Sequence, residues 1–252
     1  MRSLLAQGFM GSQRGRRKVA LAMVATLGAL LAGCGTALPT GDGRTPQHID
    51  ITLIGFNDLH GNLEPPRMAH TVQTAAGPVS VPAGGMAYFA SAMAALKARG
   101  PHHAVVSAGD MVGASPLLSS LFLDEPTIEA VNAMQIDFNA VGNHEFDEGK
   151  AELLRMQHGG NHPTDVYSGL GLPVDKRVDG EFAGARFQFL AANVTDTTSG
   201  QTVLPPYGVK DFLGNKVAFV GMTLEGTPTI VSPSGVAGLQ FGDEANTVNA
   251  LV

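Results

Sequence analysis

Residues 49–61 read IDITLIGFNDLHG, a β-branched run that ends in a loop carrying Asp58 and His60. A short run rich in isoleucine and threonine predicts a β-strand. Two later stretches, AVVSAGD at 104–110 and FNAVGNHEFD at 138–147, have the same form. Each therefore predicts a strand that ends in polar side chains.

Predicted helices separate these strands. Apolar residues at helical spacing favour helices over 84–99, 125–134 and 148–157. Alternating strands and helices are typical of the α/β class, in which ligands bind beyond the carboxyl ends of parallel strands. The three polar loops are therefore expected to lie side by side.

Other stretches have weaker patterns. Residues 61–82 are predicted to form a loop, because Pro65-Pro66 and Gly77-Pro78 interrupt them. Gly214-Asn215 lies between two apolar runs and predicts a hairpin. Residues 244–252 have the composition of a helix.

Five side chains on the three loops suit a divalent-metal site. Asp58 and Asp110 offer carboxylate oxygens, His60 and His144 offer imidazole nitrogens, and Asn143 offers an amide oxygen. Histidine with carboxylates suits Zn, Mn or Fe. Taken singly, each group would more often be a surface turn, and Asn143 could instead cap a helix. The combination, with each group following its own strand, favours the metal site.

Composition excludes other classes. The chain has 252 residues and a formal net charge of −6, so it lacks the basic character of a protein that binds a nucleic acid duplex. Its one cysteine, Cys34, excludes an internal disulfide. Stability must therefore come from packing.

The N-terminus has the pattern of a bacterial lipoprotein signal. A basic segment at 14–18 precedes an apolar segment at 19–32, and small residues precede Cys34. Residues 1–34 are therefore predicted to be an exported signal segment with a lipid anchor at Cys34, and a cleaved signal of a soluble secreted protein is the alternative. Residues 35–47 are predicted to be a flexible tether, which places the protein in the cell envelope, in the periplasm or at the outer surface.

The three motifs resemble those of the bacterial 5′-nucleotidase/UDP-sugar hydrolase/2′,3′-cyclic-nucleotide phosphodiesterase family, within the metallophosphoesterase superfamily. They read FNDLHG at 56–61, AGD at 108–110 and VGNHEFD at 141–147. The resemblance implies a four-layer α/β/β/α sandwich and a hydrolase of nucleotides outside the cytoplasm.

The resemblance also implies a role for each residue. Two divalent ions, Zn, Mn or similar, would activate a hydroxide for attack on phosphorus. His144, oriented by Asp147, would stabilise the transition state. The implied metal ligands are Asp58 and His60 for the first ion, Asp110 for both ions and Asn143 for the second ion.

One departure from the family pattern limits the expected activity. The family has further ligands, one histidine and then a Gly-His-x-His/Gln motif, whereas the last histidine here is His162. The second metal site is therefore expected to be incomplete, and residues 48–252 to be the N-terminal part of a truncated metallophosphoesterase domain. The family's C-terminal nucleoside-binding domain is also expected to be absent.

These expectations leave several functions open. The first is a 5′-nucleotidase-type hydrolase of which this chain is an inactive or weakly active fragment. The alternatives are a 2′,3′-cyclic-nucleotide phosphodiesterase or UDP-sugar hydrolase of the same family, and a non-catalytic, lipid-anchored metal-binding fragment. The expected partner is a nucleotide or another small phosphoester.

Overall fold

A parallel sheet organises the described structure. The computed structural model describes residues 48–66 and 69–252. The strands are β1 (Thr52–Phe56), β2 (Ala69–Thr74), β3 (Gly77–Pro82), β4 (His103–Ser107), β5 (Phe138–Ala140), β6 (Arg177–Val178), β7 (Glu181–Phe182), β8 (Gln188–Leu190), β9 (Val194–Asp196), β10 (Tyr207–Phe212), β11 (Asn215–Val220) and β12 (Leu239–Phe241). Strands β1, β4, β5 and β8 pair in that order, all parallel.

Helices connect the parallel strands. The α-helices of the described residues are α1 (Met86–Lys97), α2 (Leu117–Ser120), α3 (Glu125–Met134), α4 (Gly149–His158) and α5 (Glu244–Leu251). Parallel neighbours need a crossover connection, and α1, α3 and α4 each lie in one of the three crossovers. Pro126 lies in the first turn of α3, where a missing N–H removes no helical hydrogen bond. The predicted α/β class is confirmed.

The predicted loop over 61–82 is wrong in its second half, because β2 and β3 form an antiparallel hairpin there. All six residues of β2 are exposed, so no buried face produces the alternating pattern that predicts a strand. Pro78 and Pro82 also lie in β3. Proline has no backbone N–H to donate, so it occurs within strands mainly where one edge of the strand is free. The predicted hairpin at Gly214-Asn215 is confirmed by the β10–β11 pair.

A hydrophobic core packs against the parallel sheet and continues below the candidate site. Val105 from β4, Ile128 from α3 and Phe189 from β8 are fully buried. Phe146 is also fully buried, and its ring packs edge-on against Phe241 with 5.1 Å between centroids. Each such side chain contributes about 1.5–3 kcal/mol by burial. The loop that carries Phe146 is therefore anchored in the core.

The export predictions fall outside the described residues. The signal segment at 1–34, the lipid anchor at Cys34 and the tether at 35–47 all precede residue 48. Among the described helices, none has the length and apolar character needed to cross a membrane.

Candidate metal centre

Three loops follow three neighbouring parallel strands. The first loop (residues 57–61) follows β1, the second loop (residues 108–113) follows β4, and the third loop (residues 141–147) follows β5. Because β1, β4 and β5 are parallel neighbours, the loops meet at the carboxyl edge of the sheet. This is the arrangement that the sequence predicted.

Backbone hydrogen bonds join the first loop to the second loop. Three N–H groups of the first loop donate to three consecutive carbonyls of the second, so the two loops form one unit. The pairs are Asp58 N with Gly109 O at 3.1 Å, His60 N with Asp110 O at 3.0 Å, and Gly61 N with Met111 O at 3.0 Å.

The ring of His60 has a fixed orientation. Its Nδ1 lies 2.9 Å from the carbonyl oxygen of Gly113, and because a carbonyl only accepts, Nδ1 carries the proton and donates. The other nitrogen, Nε2, therefore offers its lone pair, and it lies 3.7 Å from Oδ1 of Asp58. Oδ2 of Asp58 accepts a hydrogen bond from Nδ2 of Asn57. An ion between Asp58 and His60 would contact one oxygen and one nitrogen.

Asp110 is held against the third loop. Its Oδ1 accepts a hydrogen bond of 3.0 Å from the backbone N–H of His144. A Cβ at position 142 would lie 2.2 Å from this oxygen, and a Cβ at Gly109 would lie 2.4 Å from the nitrogen of Gly142. Glycine at both positions lets the second and third loops approach closely enough to place Asp110 beside His144.

His144 and Asp147 form a hydrogen-bonded pair. Nδ1 of His144 lies 2.7 Å from Oδ2 of Asp147, so Nε2 is the ring nitrogen that Asp147 does not contact. Partial burial lowers the pKa of His144, but the hydrogen bond and charge of Asp147, with the charges of Asp110 and Glu145, outweigh it, so the pKa lies above its ordinary value. The predicted partnership of His144 with Asp147 is present in the structure.

Three of the predicted residues form a compact cluster. Ligand atoms of His60, Asp110 and His144 all lie within 4.8 Å of one another. The rings of His60 and His144 are nearly perpendicular, with 4.9 Å between centroids. Imidazole nitrogen and carboxylate oxygen at this spacing fit a Zn-like or Mn-like ion. The sequence grouped His144 with these metal-site side chains, whereas the family resemblance assigns it to catalysis, and the fold places it beside the ligand atoms of His60 and Asp110.

Asn143 lies between Gly142 and His144 and is half-buried. It occupies the position before a short 3₁₀ helix, His144–Phe146, but its side chain makes no capping hydrogen bond. The helix-cap interpretation of Asn143 therefore does not explain its side chain, whose amide oxygen remains available as a ligand.

Sequence reasoning missed Glu145 as a residue of this site. Its carboxylate is 5% exposed and accepts hydrogen bonds from the backbone of the second and third loops. Burial raises the pKa of Glu145, while these backbone hydrogen bonds act in the opposite direction. The sequence places Glu145 inside the VGNHEFD motif and the exposed Glu148 just after it, but only the fold shows that Glu145 is buried between the loops.

Two cavities flank the three loops. One of about 160 Å³ is lined by His144, Asp147 and neighbouring residues of α4. The other, of about 450 Å³, lies beside Asp58 and is lined by Tyr88 and Phe89 of α1. Among the described residues that line either cavity there is no lysine or arginine.

Several known proteins are similar to this chain in sequence over most of its length. An uncharacterised protein in the pqq-V 5′ region of Acinetobacter calcoaceticus is 48% identical over 196 residues, 74% of this chain and 91% of that protein. Endonuclease YhcR of Bacillus subtilis is 35% identical over 203 residues, 81% of this chain but 15% of the relative. A 5′-nucleotidase of Vibrio cholerae is 27% identical over 215 residues, 85% of this chain and 32% of that enzyme. The chain therefore spans nearly all of the first relative and a third or less of the other two.

A solved structure has the same fold. NAD nucleotidase (NadN) of Haemophilus influenzae superposes with a TM-score of 0.59 at 22% identity, over 80% of this chain and 31% of that one. This likeness confirms the predicted metallophosphoesterase-type architecture. No family model matches the chain. The relatives named 5′-nucleotidase, the fold and the three loop motifs agree in indicating the 5′-nucleotidase family of metallophosphoesterases, and the chain covers the N-terminal part of those proteins.

Proposed function

We propose that this chain is the metal-binding part of a 5′-nucleotidase-type phosphoester hydrolase that acts on nucleotides outside the cytoplasm. The observation that carries the proposal is the cluster of His60, Asp110 and His144 within 4.8 Å at the carboxyl edge of the sheet. Family membership supports hydrolysis of a phosphoester. The names of the Vibrio and Haemophilus relatives support a nucleotide as the substrate.

The proposed ligands are those that the sequence predicted. Asp58 and His60 would hold the first ion, Asp110 would contact both ions, and Asn143 would contact the second. Two divalent ions, when bound, supply positive charge to the phosphoryl oxygens and lower the pKa of a coordinated water. The second ion would have Asp110 and Asn143 as its protein ligands in this sequence, and so short a ligand set supports weak binding and low turnover by this chain.

His144 is proposed to act on the substrate directly. Its Nδ1 is held by Asp147, so the ring cannot turn away and Nε2 faces the cluster. In the metal-free chain the pKa of His144 is raised, chiefly by the hydrogen bond and charge of Asp147, and in its protonated form the ring donates a hydrogen bond through Nε2–H. A donor in that position stabilises negative charge that develops on a phosphoryl or leaving-group oxygen.

A small phosphoester fits the surroundings better than a nucleic acid duplex. The flanking cavities are lined by Asp147, Glu148 and Tyr88 without a lysine or arginine among the described residues. The net charge of −6 also opposes binding of a polyanion. Nucleoside monophosphates are the first substrates to test, and 2′,3′-cyclic nucleotides and UDP-sugars are the alternatives within the family.

The test measures metal binding and phosphate release together. Calorimetry with Mn²⁺ or Zn²⁺ on the full chain is expected to show binding that Asp58→Ala weakens by roughly 10-fold or more. Asp50→Ala is the matched control, because Asp50 is also exposed and lies outside the loops. Phosphate release from nucleoside monophosphates is expected to be slow, metal-dependent and lost in Asp58→Ala. Equal metal affinity in the two variants would contradict the proposal.

A non-catalytic metal-binding role is the second candidate, and the short ligand set of the second ion favours it. Metal stoichiometry separates the two roles. One weak site and no phosphate release would support the binding role. Two tight sites per chain would contradict the expectation of an inactive chain.

We also propose that the protein is exported and anchored by a lipid at Cys34. The basic, apolar and small-residue segments before Cys34 support this location. Cys34→Ala is expected to move the protein from the membrane fraction to the soluble fraction of the envelope. Retention of that variant in the membrane fraction would contradict the lipid anchor.

A further inference from the structure

Glu145 lies where the metal-bearing loops meet. Its Oε2 accepts hydrogen bonds from Asp110 N at 3.0 Å and from Gly142 N at 2.7 Å, and its Oε1 accepts from Met111 N at 2.9 Å. One carboxylate therefore binds the backbone of the second and the third loop at once. Its side chain is 5% exposed, so water cannot replace it easily.

The backbone of the second loop is shaped to receive this carboxylate. Gly109 and Asp110 both have positive φ, 101° and 53°. Left-handed residues in a turn can aim successive N–H groups at one point, and such concavities bind anions. Here the successive N–H groups of Asp110 and Met111 both donate to Glu145. The conformation that places the Asp110 side chain in the cluster is also the one that binds Glu145.

The opposite side of the second loop is bonded to the first loop. The carbonyls of residues 109–111 accept the N–H groups of Asp58, His60 and Gly61. The second loop is therefore held through its N–H groups by Glu145 and through its carbonyls by the first loop. Loss of the Glu145 carboxylate would release one side of the loop that carries Asp110.

We propose that Glu145 is a positioning residue of the metal centre: it does not contact the ion, but it fixes Asp110 and the first loop in the geometry that binds one. The inference rests on the metal-dependent function proposed above. The positioning role belongs to the carboxylate group of Glu145 itself, because both of its oxygens accept hydrogen bonds from backbone N–H groups.

An amide of the same shape cannot replace this carboxylate. In Glu145→Gln one of the two acceptor oxygens becomes an NH₂ group, which donates and does not accept. Whichever way the amide turns, at least one backbone N–H among Asp110, Gly142 and Met111 then faces another donor. Glu145→Asp keeps the charge but is one methylene shorter, so it is expected to weaken the same hydrogen bonds.

Glu125 provides a matched control. It is a second fully buried carboxylate, and it accepts from Ser168 Oγ at 2.7 Å, from Gly169 N at 2.6 Å and from Arg155 Nη1 at 2.7 Å. None of these partners lies in the three loops. Glu125→Gln therefore removes a comparable buried carboxylate without touching the metal-binding loops.

The experiment compares the wild type, Glu145→Gln and Glu125→Gln at a temperature where circular dichroism shows all three folded. Amide hydrogen exchange at residues 109–111 and 142 is expected to accelerate about 10-fold or more in Glu145→Gln alone. Mn²⁺ affinity is expected to fall about 10–100-fold in the same variant. The visible absorption of bound Co²⁺ is expected to change shape in that variant and to stay unchanged in Glu125→Gln. If Glu145→Gln does not fold, Glu145→Asp replaces it with the same expected directions.

Two results would overturn the proposal. Unchanged exchange at residues 109–111 would show that Glu145 does not order the second loop. Faster exchange with wild-type Mn²⁺ affinity and Co²⁺ absorption would reduce Glu145 to a stabilising residue without a role in the metal centre. A wild-type chain that binds no Mn²⁺ or Co²⁺ would instead refute the metal-dependent function, and the exchange comparison would still decide whether Glu145 orders the loop.

Discussion

Replacing Gly142 by alanine tests how closely the second and third loops must approach. A Cβ at this position would lie 2.2 Å from Oδ1 and 2.8 Å from Cγ of Asp110, whereas ordinary contacts begin at 3.4 Å. The carboxylate of Asp110 would therefore have to move by about 1 Å in a closely packed site. Gly142 does not have a positive φ, so alanine can adopt its backbone conformation, but the Cβ would also lie 2.8 Å from the backbone nitrogen of Asp110.

The expected loss of stability follows from the contacts that Asp110 loses. Its Oδ1 accepts the N–H of His144 at 3.0 Å, and a displacement of that size breaks the hydrogen bond. A lost hydrogen bond to a charged group costs about 1.5–3 kcal/mol, and overpacking costs about 1–3 kcal/mol. Because one displacement relieves the clash and breaks the bond, we expect Gly142→Ala to lower the free energy of unfolding by about 3 kcal/mol. For a domain of this size the melting temperature would fall by roughly 6–12 °C.

Urea denaturation followed by circular dichroism measures this loss. Gly55→Ala in β1 is the control, because a Cβ at Gly55 has no atom within 4 Å and its φ is not positive. The control is expected to be neutral or to gain about 0.5–1 kcal/mol. A Gly142→Ala variant within about 0.5 kcal/mol of the control would refute the close approach of the loops.

Two further substitutions test charged contacts. In Asp147→Asn the pKa of His144, measured by NMR on the metal-free protein, is expected to fall. Because that pKa is raised in the folded wild type, protonation of His144 stabilises the fold. This stabilisation is present below pH about 6.5 and is lost as pH rises through the folded pKa. An unchanged His144 titration would contradict this. In Asp196→Asn the contact with Lys150, which lowers the pKa of Asp196, is lost. At pH 7 the wild type is expected to melt at a higher temperature than the variant. This difference in melting temperature is expected to close as pH falls below about 4 toward the lower folded pKa of Asp196. A constant gap between pH 7 and pH 2 would argue against this contact.

The sequence predicts that the three loops lie together, because the same residues signal both fold and chemistry. The stretches that end at Phe56, Ser107 and Ala140 are short apolar runs, and each is followed directly by polar residues. Helical patterns between them imply parallel strands, and parallel strands bring their carboxyl ends to one edge. The neighbourhood of Asp58, Asp110 and the third loop follows from these local patterns.

Other features could not be predicted because they depend on contacts between distant segments. The exposed hairpin of β2 and β3 buries no apolar face and so leaves no periodic pattern. The burial of Glu145 and the short distance from His144 to His60 depend on how tightly the second loop packs against the third. That packing is set by glycines whose role appears only in three dimensions, such as Gly142.

The backbone at the proposed ligand positions has an unfavourable conformation. Asp58, His60 and Asp110 all have positive φ, between 45° and 53°. This conformation costs a non-glycine residue roughly 1–2 kcal/mol, and glycine would adopt it without that cost. Glycine has no side chain to bind an ion, however, so a metal site at these positions requires carboxylates and imidazoles despite this cost. Non-ligand residues such as Ala114 and Gln135 also have positive φ, so this conformation does not by itself identify a ligand. The cost at three of the four proposed ligands is offset by the hydrogen bonds between the first and second loops, which hold these residues in this conformation.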